Sequence, residues 1–258
     1  MSRRLVLVGG TLVYVGVSYA TYTYLRKPAA AEPTLQVDPA THDTCSTWNS
    51  IASDYDARIG KDERWLGIGL LRRYMMGKYA RGDVLEVSTG TGRNLPYYRP
   101  SMITSLTLSD KSPVMLDQAK QTWQRYAERF KEVPVLFKVM DAETLVDGEQ
   151  YDTIVDTFGL CSCTSPTTVL VHLAKQLKPE ARLVLLEHGR SHYDWLNRML
   201  DSHAQQHVQK WGCWWNRDML AMLADEEVKQ VLEVEYVRRW HLGTTYYVIC
   251  RRKKENDQ

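Results

Sequence analysis

The sequence predicts an α/β domain built on a doubly wound, mostly parallel sheet of seven strands, with a transmembrane helix at the N-terminus. Three observations predict it. Short apolar runs bounded by turn residues alternate with longer segments of helical period, acidic residues stand at the ends of successive runs, and Leu5 to Leu25 carries no charge. A chain of 258 residues, 44% hydrophobic and 25% charged, can bury one full core.

The uncharged stretch lies between Arg3-Arg4 and Arg26-Lys27. As a helix it reaches roughly 31 Å, about one hydrocarbon core. A cleaved secretory signal is the alternative; the small residues Ala29 to Ala31 favour it, but signal apolar regions run only ~7–15 residues. Two basic residues on each side tie the positive-inside count and leave the orientation open. No acidic residue precedes Glu32, and this basic, acid-free start resembles a mitochondrial inner-membrane signal anchor, with the endoplasmic reticulum as second location. Three prolines and many small residues between Lys27 and Ser46 read as a linker. The expected division is a single-pass anchor over 1–27, a linker over 28–46 and a folded domain over 47–254.

Without residues 1–31 the chain has 29 basic against 31 acidic residues, a formal charge of −2. That argues against a broad nucleic-acid footprint. The five cysteines, at positions 45, 161, 163, 213 and 250, are odd in number and contain no C-x-x-C pair. Neither a disulfide framework nor a zinc site is expected.

Along the domain the pattern predicts helices over Trp48–Ile59 and Trp65–Tyr79, then strands Val84–Val87 and Leu106–Leu108. A helix over Pro113–Phe130 and strands Val135–Val139 and Thr153–Asp156 follow. Next come helix Pro166–Leu177, strand Arg182–Leu186 and helices Trp195–Gln209 and Arg217–Ala224. Leu232–Trp240 and Thr244–Arg251 read as a closing hairpin that adds antiparallel strands at the sheet edge.

The stretch DVLEVSTGTGRNL, Asp83 to Leu95, carries the most chemistry. A buried strand ends in Glu86, and a loop of small residues with Gly90 and Gly92 leads to Asn94. In an open α/β sheet the ligand binds outside the carboxyl ends of the strands, where glycine lets it approach the backbone. Asp110 ends the second strand, placed to accept both hydroxyls of an adenosine ribose, and Asp141 follows the third in MDAETL, placed at the adenine edge. There is no G-K-[ST] of a phosphate loop and no G-x-G-x-x-G.

Glu86-Val-Ser-Thr-Gly90-Thr-Gly92, Ser109-Asp110, Asp141-Ala-Glu143 and Leu177-Lys178-Pro179 together resemble the successive motifs of the Rossmann-like class I S-adenosylmethionine methyltransferases. Trp48-x-x-Ile51-Ala52-x-x-Tyr55-Asp56 is similar to the first helix of their ubiquinone-methyltransferase-like group. Leu160-Cys161-Ser162, Glu187-His188-Gly189 and Gly212-Cys213 with Arg217 resemble the membrane-anchored thiol-methyltransferase-like proteins and the fungal mitochondrial inner-membrane methyltransferases. The resemblance covers about residues 48 to 251 and implies S-adenosyl-L-methionine as cofactor. It places Glu86, Ser88, Gly90, Gly92 and Asn94 around the amino-acid end and Tyr55 in the helix that closes over the cofactor. Asp110 would hold the ribose, Lys111 and Met115 flank the adenine, and Asp141, Ala142 and Glu143 meet its amino edge. Thr157 and Phe158 would line the methyl-donor channel. Ser88 departs from the pattern, since many relatives carry glycine there.

A sulfonium methyl is already activated, so the protein chiefly places an acceptor in line and excludes water. A thiolate needs no general base, whereas a hydroxyl or a carbon acid does. Glu187 and His188 are the candidate catalytic pair, with a packing or capping role as the alternative. Cys161 and Cys163 are either substrate contacts or small hydrophobes. His203 and His207 share a helix face but lack a third ligand, so no metal is expected. The aromatic segment Trp195 to Trp215 reads as an acceptor-pocket roof, a membrane-interface element or ordinary packing. The expected activity is methylation of a small lipophilic, quinone-like or thiol acceptor. The alternatives are a non-catalytic assembly factor for respiratory complexes or mitochondrial ribosomes, and a protein- or RNA-directed enzyme.

Overall fold

The computed structural model describes residues 36–145 and 148–253. The chain divides into two units, residues 1–36 and 37–258, and the span expected at Leu5 to Leu25 lies outside the described residues. Among the described residues no helix is long and apolar enough to cross a membrane.

The second unit holds seven strands in one sheet: β1 (Gly82–Val87), β2 (Ile103–Asp110), β3 (Val135–Val139), β4 (Tyr151–Thr157), β5 (Leu177–His188), β6 (Leu232–Trp240) and β7 (Thr245–Arg252), in the order β3-β2-β1-β4-β5-β7-β6. Strands β1 to β5 pair in parallel, while β7 runs antiparallel to both β5 and β6. The expected hairpin is therefore present, with its second strand inside the sheet and its first at the edge. Charged side chains along β6, paired as Arg182–Glu235 and Arg251–Glu233, discourage further strand addition.

Eight helices cover the faces among the described residues: α1 (Cys45–Ile51), α2 (Tyr55–Trp65), α3 (Ile68–Tyr79), α4 (Pro113–Gln124), α5 (Pro166–Lys175), α6 (Asp194–Trp211), α7 (Met219–Leu223) and α8 (Glu226–Val231). Alternation along β5 shows the two cores. Leu183 and Leu185 pack with Leu170 and Leu173 of α5 and Met222 of α7, whereas Val184 and Leu186 face the side occupied by Met75 and Met76 of α3. The chain leaves β1 toward β2 and β3 and returns across it to β4, so the sheet's switch point lies between the carboxyl ends of β1 and β4.

Several boundaries differ from the sequence reading. The first expected helix is two, because the chain turns tightly after Ile51 before α2 begins, yet its apolar face survives: Trp48, Ile51, Ala52 and Tyr55 pack with Met115 and Trp211. Gly67, at φ +66°, separates α2 from α3 and ends the run expected from Trp65. Helix α4 stops at Gln124, where a 3-10 turn over Ala127–Phe130 re-aims Phe130 onto Trp123, 5.1 Å between rings. Strand β5 begins at Leu177, five residues before the predicted start at Arg182, and an irregularity around Glu180, at φ +64°, restores its register. Helix α8, absent from the sequence reading, is capped by Asp225, whose carboxylate accepts from the amides of Glu227 and Val228.

Part of the expected linker is in contact with the domain. Val37 exchanges two backbone hydrogen bonds with the Gln205 amide of α6, and Thr44 Oγ1 donates to the Ser162 carbonyl.

Candidate active site

The loop after β1 is built by backbone demands. Ser88, Gly90 and Gly92 all have positive φ, at +50°, +57° and +80°. The two glycines differ in purpose: a Cβ at Gly92 would meet Leu95 Cδ1 at 2.8 Å and the α4 backbone, while one at Gly90 would find no heavy atom nearer than 4.0 Å. Gly92 is thus required by packing, and Gly90 leaves its face open for a ligand to approach the backbone.

Asp110 fixes that loop. Its Oδ2 accepts from the Gly90 amide at 2.7 Å and its Oδ1 from the Ser112 amide at 2.8 Å. Burial raises its pKa, and the two amides oppose that shift. Each oxygen keeps a lone pair for another donor, as a ribose-binding carboxylate requires. Ser112 also caps α4 by accepting from the Met115 amide.

Around this corner opens a cavity with about 940 Å³ of empty space. Tyr55, Ser88, Gly90, Asp110, Lys111, Met115, Asp141, Ala142, Glu143, Thr157 and Phe158, eleven of the expected cofactor residues, line it together. Lys111 bridges two carboxylates at the rim, Asp141 at 3.1 Å and Asp43 at 3.3 Å. Asp141 Oδ1 accepts from the Glu143 amide, and Glu143 Oε1 accepts from the Ser165 amide and the Thr164 hydroxyl, which ties the loop after β3 to the loop before α5. Phe158, at φ +59°, holds its backbone through the Leu186 carbonyl at 2.9 Å and lies beneath the Arg72 guanidinium.

Three other expected residues lie behind the wall. Glu86 is buried and accepts from Tyr98 Oη at 2.5 Å and Asn94 Nδ2 at 3.0 Å. Asn94 Oδ1 accepts in turn from Arg72 Nη1 at 2.7 Å. Glu86, Gly92 and Asn94 therefore shape the loop without lining the cavity. Burial pushes the Glu86 carboxyl up to about 7, and likewise that of Asp156.

Glu187 and His188 also stand outside the lining, and they do not form a pair. As successive residues of β5 they continue opposite faces. Glu187 Oε1 accepts from the Gly159 amide at 3.1 Å, and burial holds its carboxyl well above the usual range, whereas the His188 ring meets Phe158 edge-on at 5.6 Å. The aromatic segment resolves mainly into packing: Trp214 joins Ala204 and Val208, Trp215 donates to the Leu200 carbonyl, and Trp195 is exposed.

The structure adds residues the sequence did not single out. Arg72 is 4% exposed and lines the cavity; it donates to Thr157 Oγ1 at 2.9 Å and pairs with Glu63 at 3.0 Å. Arg93 pairs with the same Glu63 at 2.6 Å and with Asp56 at 2.8 Å. Burial raises the Glu63 pKa, but the two guanidiniums outweigh it and hold the carboxyl below its usual value. Arg72 Nε is buried without a hydrogen-bond partner. His42, Asp43, Thr44, Cys45 and Trp48 form another wall. A sequence signal existed for that wall, since Asp43 accepts from the Cys45 amide two residues on, a turn that aspartate favours, immediately before the Trp48–Ile51–Tyr55 face.

This geometry, a cavity at the switch point with an open backbone face at Gly90 and a strand-end carboxylate beside it, agrees with a match of residues 68–231 to the family described as methyltransferase domain. The chain belongs to that family. Among curated relatives, the Saccharomyces cerevisiae protein named mitochondrial methyltransferase OMS1 is 40% identical over 234 residues, 84% of this chain and 48% of that protein. The human thiol S-methyltransferase TMT1B is 31% identical over 124 residues, 46% of this chain and 48% of that protein. The chain spans about half the length of the curated relatives it matches. A solved structure of DhpI in complex with SAH superposes with a TM-score of 0.60 at 18% identity, covering 83% of this chain and 97% of that one, which is a likeness of fold. The resemblance to the methyltransferases read from the motifs is thereby borne out at the level of the family.

Two outcomes follow. Arg72→Ala leaves Glu63 and Thr157 short of a buried partner and should cost about 3–5 kcal/mol in denaturant unfolding; a loss within experimental error would show that Arg93 alone satisfies Glu63. Glu86 and Asp156 keep protons in the folded chain that the unfolded chain releases near its ordinary carboxylate pKa. The folded state then binds more protons between about pH 4 and 7, so stability falls as pH rises through that window. The thermal midpoint should drop from pH 5 to pH 8 in the wild type and drop less in Glu86→Gln.

Proposed function

We propose that the chain is a mitochondrial, membrane-tethered S-adenosylmethionine-dependent methyltransferase whose acceptor is a small lipophilic thiol. The observation that carries the reading is the cavity itself, where Asp110 and the open face of Gly90 meet Arg72 Nε, a buried donor without a partner. Asp110 would take the ribose hydroxyls, Arg72 the methionine carboxylate, and Met115 and Met140 the faces of the adenine. Bound there, the cofactor supplies an activated methyl group.

The preference for a thiol over a quinone-like hydroxyl rests on proton chemistry. Burial holds both the Tyr55 phenol and the Cys163 thiol, which line the cavity, above their ordinary pKa values, so neither is a ready base, and His42 is the imidazole left in the lining. Glu187 and His188 stand outside the lining. A thiol of cysteine-like acidity, with an ordinary pKa of about 8.5, is a few per cent anion near pH 7 and needs less help than a hydroxyl. Trp48, Tyr55 and Phe158 give the acceptor an apolar surface, and the human relative named as a thiol S-methyltransferase points the same way. Tethering rests on the uncharged run Leu5 to Leu25, and the mitochondrial location on the yeast relative's name.

Calorimetric titration of the full chain with S-adenosylmethionine should give micromolar binding, about −8 kcal/mol, lost in Asp110→Ala. Methyl transfer to a long-chain alkyl thiol should then rise with pH until the thiol is ionised. Transfer to a quinol but to no thiol would overturn the acceptor assignment, and a folded chain that binds no cofactor would leave a non-catalytic assembly factor as the reading. In mitochondria, the chain should stay with membranes through alkaline carbonate extraction, and removal of residues 1–27 should release it.

A further inference from the structure

Behind the cavity wall, three side chains far apart in sequence converge. The sulfurs of Cys161 and Cys213 and a ring nitrogen of His188 all lie within 4.8 Å of one another. Each comes from a different element: Cys161 from a 3-10 turn over Leu160–Ser162, His188 from the end of β5, and Cys213 from the residue after Gly212, which closes α6 in a left-handed conformation. Both cysteines are buried, and His188 Nε2 is buried with no hydrogen-bond partner.

We propose that Cys161, Cys213 and His188 form a binding site for a thiophilic divalent cation of the zinc class, separate from the methyl-transfer cavity. None of the three lines that cavity, and the site does not depend on the cofactor or acceptor assigned above.

The chemistry of the set fits the ion. Two thiolates and a neutral imidazole suit zinc, and the two negative charges cancel those of the cation, so the loaded site is neutral and tolerates burial. The dimensions fit as well. Three atoms no more than 4.8 Å apart leave a central point within about 2.8 Å of each, against zinc bonds of about 2.0–2.3 Å, so closing the site needs shifts of at most about 0.5–0.8 Å. Both thiols lose their protons on binding, so two protons pass to solvent for each ion taken up. A route for one of them is present, since His207 Nε2 lies 3.3 Å from Cys213 Sγ. His207 itself stacks on Trp215, 4.0 Å between ring centroids.

The surroundings hold the ligands in place before an ion arrives. The Trp214 amide donates to the Cys161 carbonyl at 2.9 Å, which ties the two cysteine segments together. Trp48 Nε1 lies 3.0 Å from the Gly212 carbonyl and 3.1 Å from Ser162 Oγ, spanning the same two segments from outside. Phe158 packs against His188, so an ion on His188 would stiffen the wall of the methyl-donor channel.

The test is metal analysis of the full chain purified without chelator, followed by cobalt substitution. About one zinc per chain is expected, with a thiolate-to-cobalt charge-transfer band after exchange. Cys213→Ser and His188→Ala should each lose the ion and the band, while Cys250→Ala, which alters a buried cysteine outside the cluster, should keep both. The cobalt titration of the wild type needs no variant, so a variant that fails to fold does not obscure the result. A folded wild type that takes up neither zinc nor cobalt would overturn the proposal. So would metal retained equally in all three variants, or recovery of Cys161 and Cys213 as a disulfide from protein handled without oxidant.

Discussion

The cavity depends on one buried guanidinium. Arg72 sits on α3 yet reaches Glu63 on α2, Asn94 in the loop after β1 and Thr157 at the end of β4, and it covers the ring of Phe158. Those contacts join two helices, a loop and a strand at the sheet's switch point. A buried cation is costly unless each donor is matched, and removing one partner of such a pair is far more damaging than its net worth. Here Nη1 and Nη2 are matched by one carboxylate, one amide and one hydroxyl while Nε has no protein partner, and four chain segments meet around this single side chain.

The electrostatics of the wall follow from that division. Glu86 and Arg72 do not touch. Asn94 stands between them, accepting from the guanidinium with Oδ1 and donating to Glu86 Oε1 with Nδ2. An amide placed this way transmits polarity without requiring full ionisation at both ends, which agrees with Glu86 held near neutrality by burial while Glu63, in direct contact with two arginines, is held ionised. The acidic residue at the end of the first strand thus has a structural task that precedes any contact with a ligand.

This explains what the sequence made legible and what it did not. Strand-helix alternation, the small-residue loop and the strand-end carboxylates are local patterns set by backbone geometry, so Gly90, Asp110 and Asp141 could be placed at the cavity from sequence alone. Arg72 could not, because nothing in the α3 run distinguishes it from Arg73 beside it; only the packing of α3 against β4 and the β1 loop buries one and not the other. Pairing Glu187 with His188 rested on adjacency, which in a strand guarantees opposite faces. The cluster of Cys161, His188 and Cys213 was hidden for a related reason. Spacing rules detect ligands carried on one local turn, and these three are brought together by tertiary structure. The helix over Glu226–Val231 was readable from Asp225 and the two glutamates after it, a capping signal obscured by the apolar run that follows.

The two sides of the cavity are held by different kinds of interaction, and this bears on how a ligand is admitted. The loops after β1, β2 and β4 continue directly from paired strands. The opposite wall, from His42 to Tyr55, is fastened by side chains: Thr44 to the Ser162 carbonyl, Trp48 to Gly212 and Ser162, Lys111 to Asp43, and Thr91 to Asp56. Hydrogen bonds of this kind are each worth only about 0.5–1.5 kcal/mol net, and the exposed ion pair of Lys111 and Asp43 contributes at most a fraction of that. These bonds add to the apolar packing of Trp48, Ile51, Ala52 and Tyr55 on Met115 and Trp211, so this wall is held by side chains and not by strand pairing.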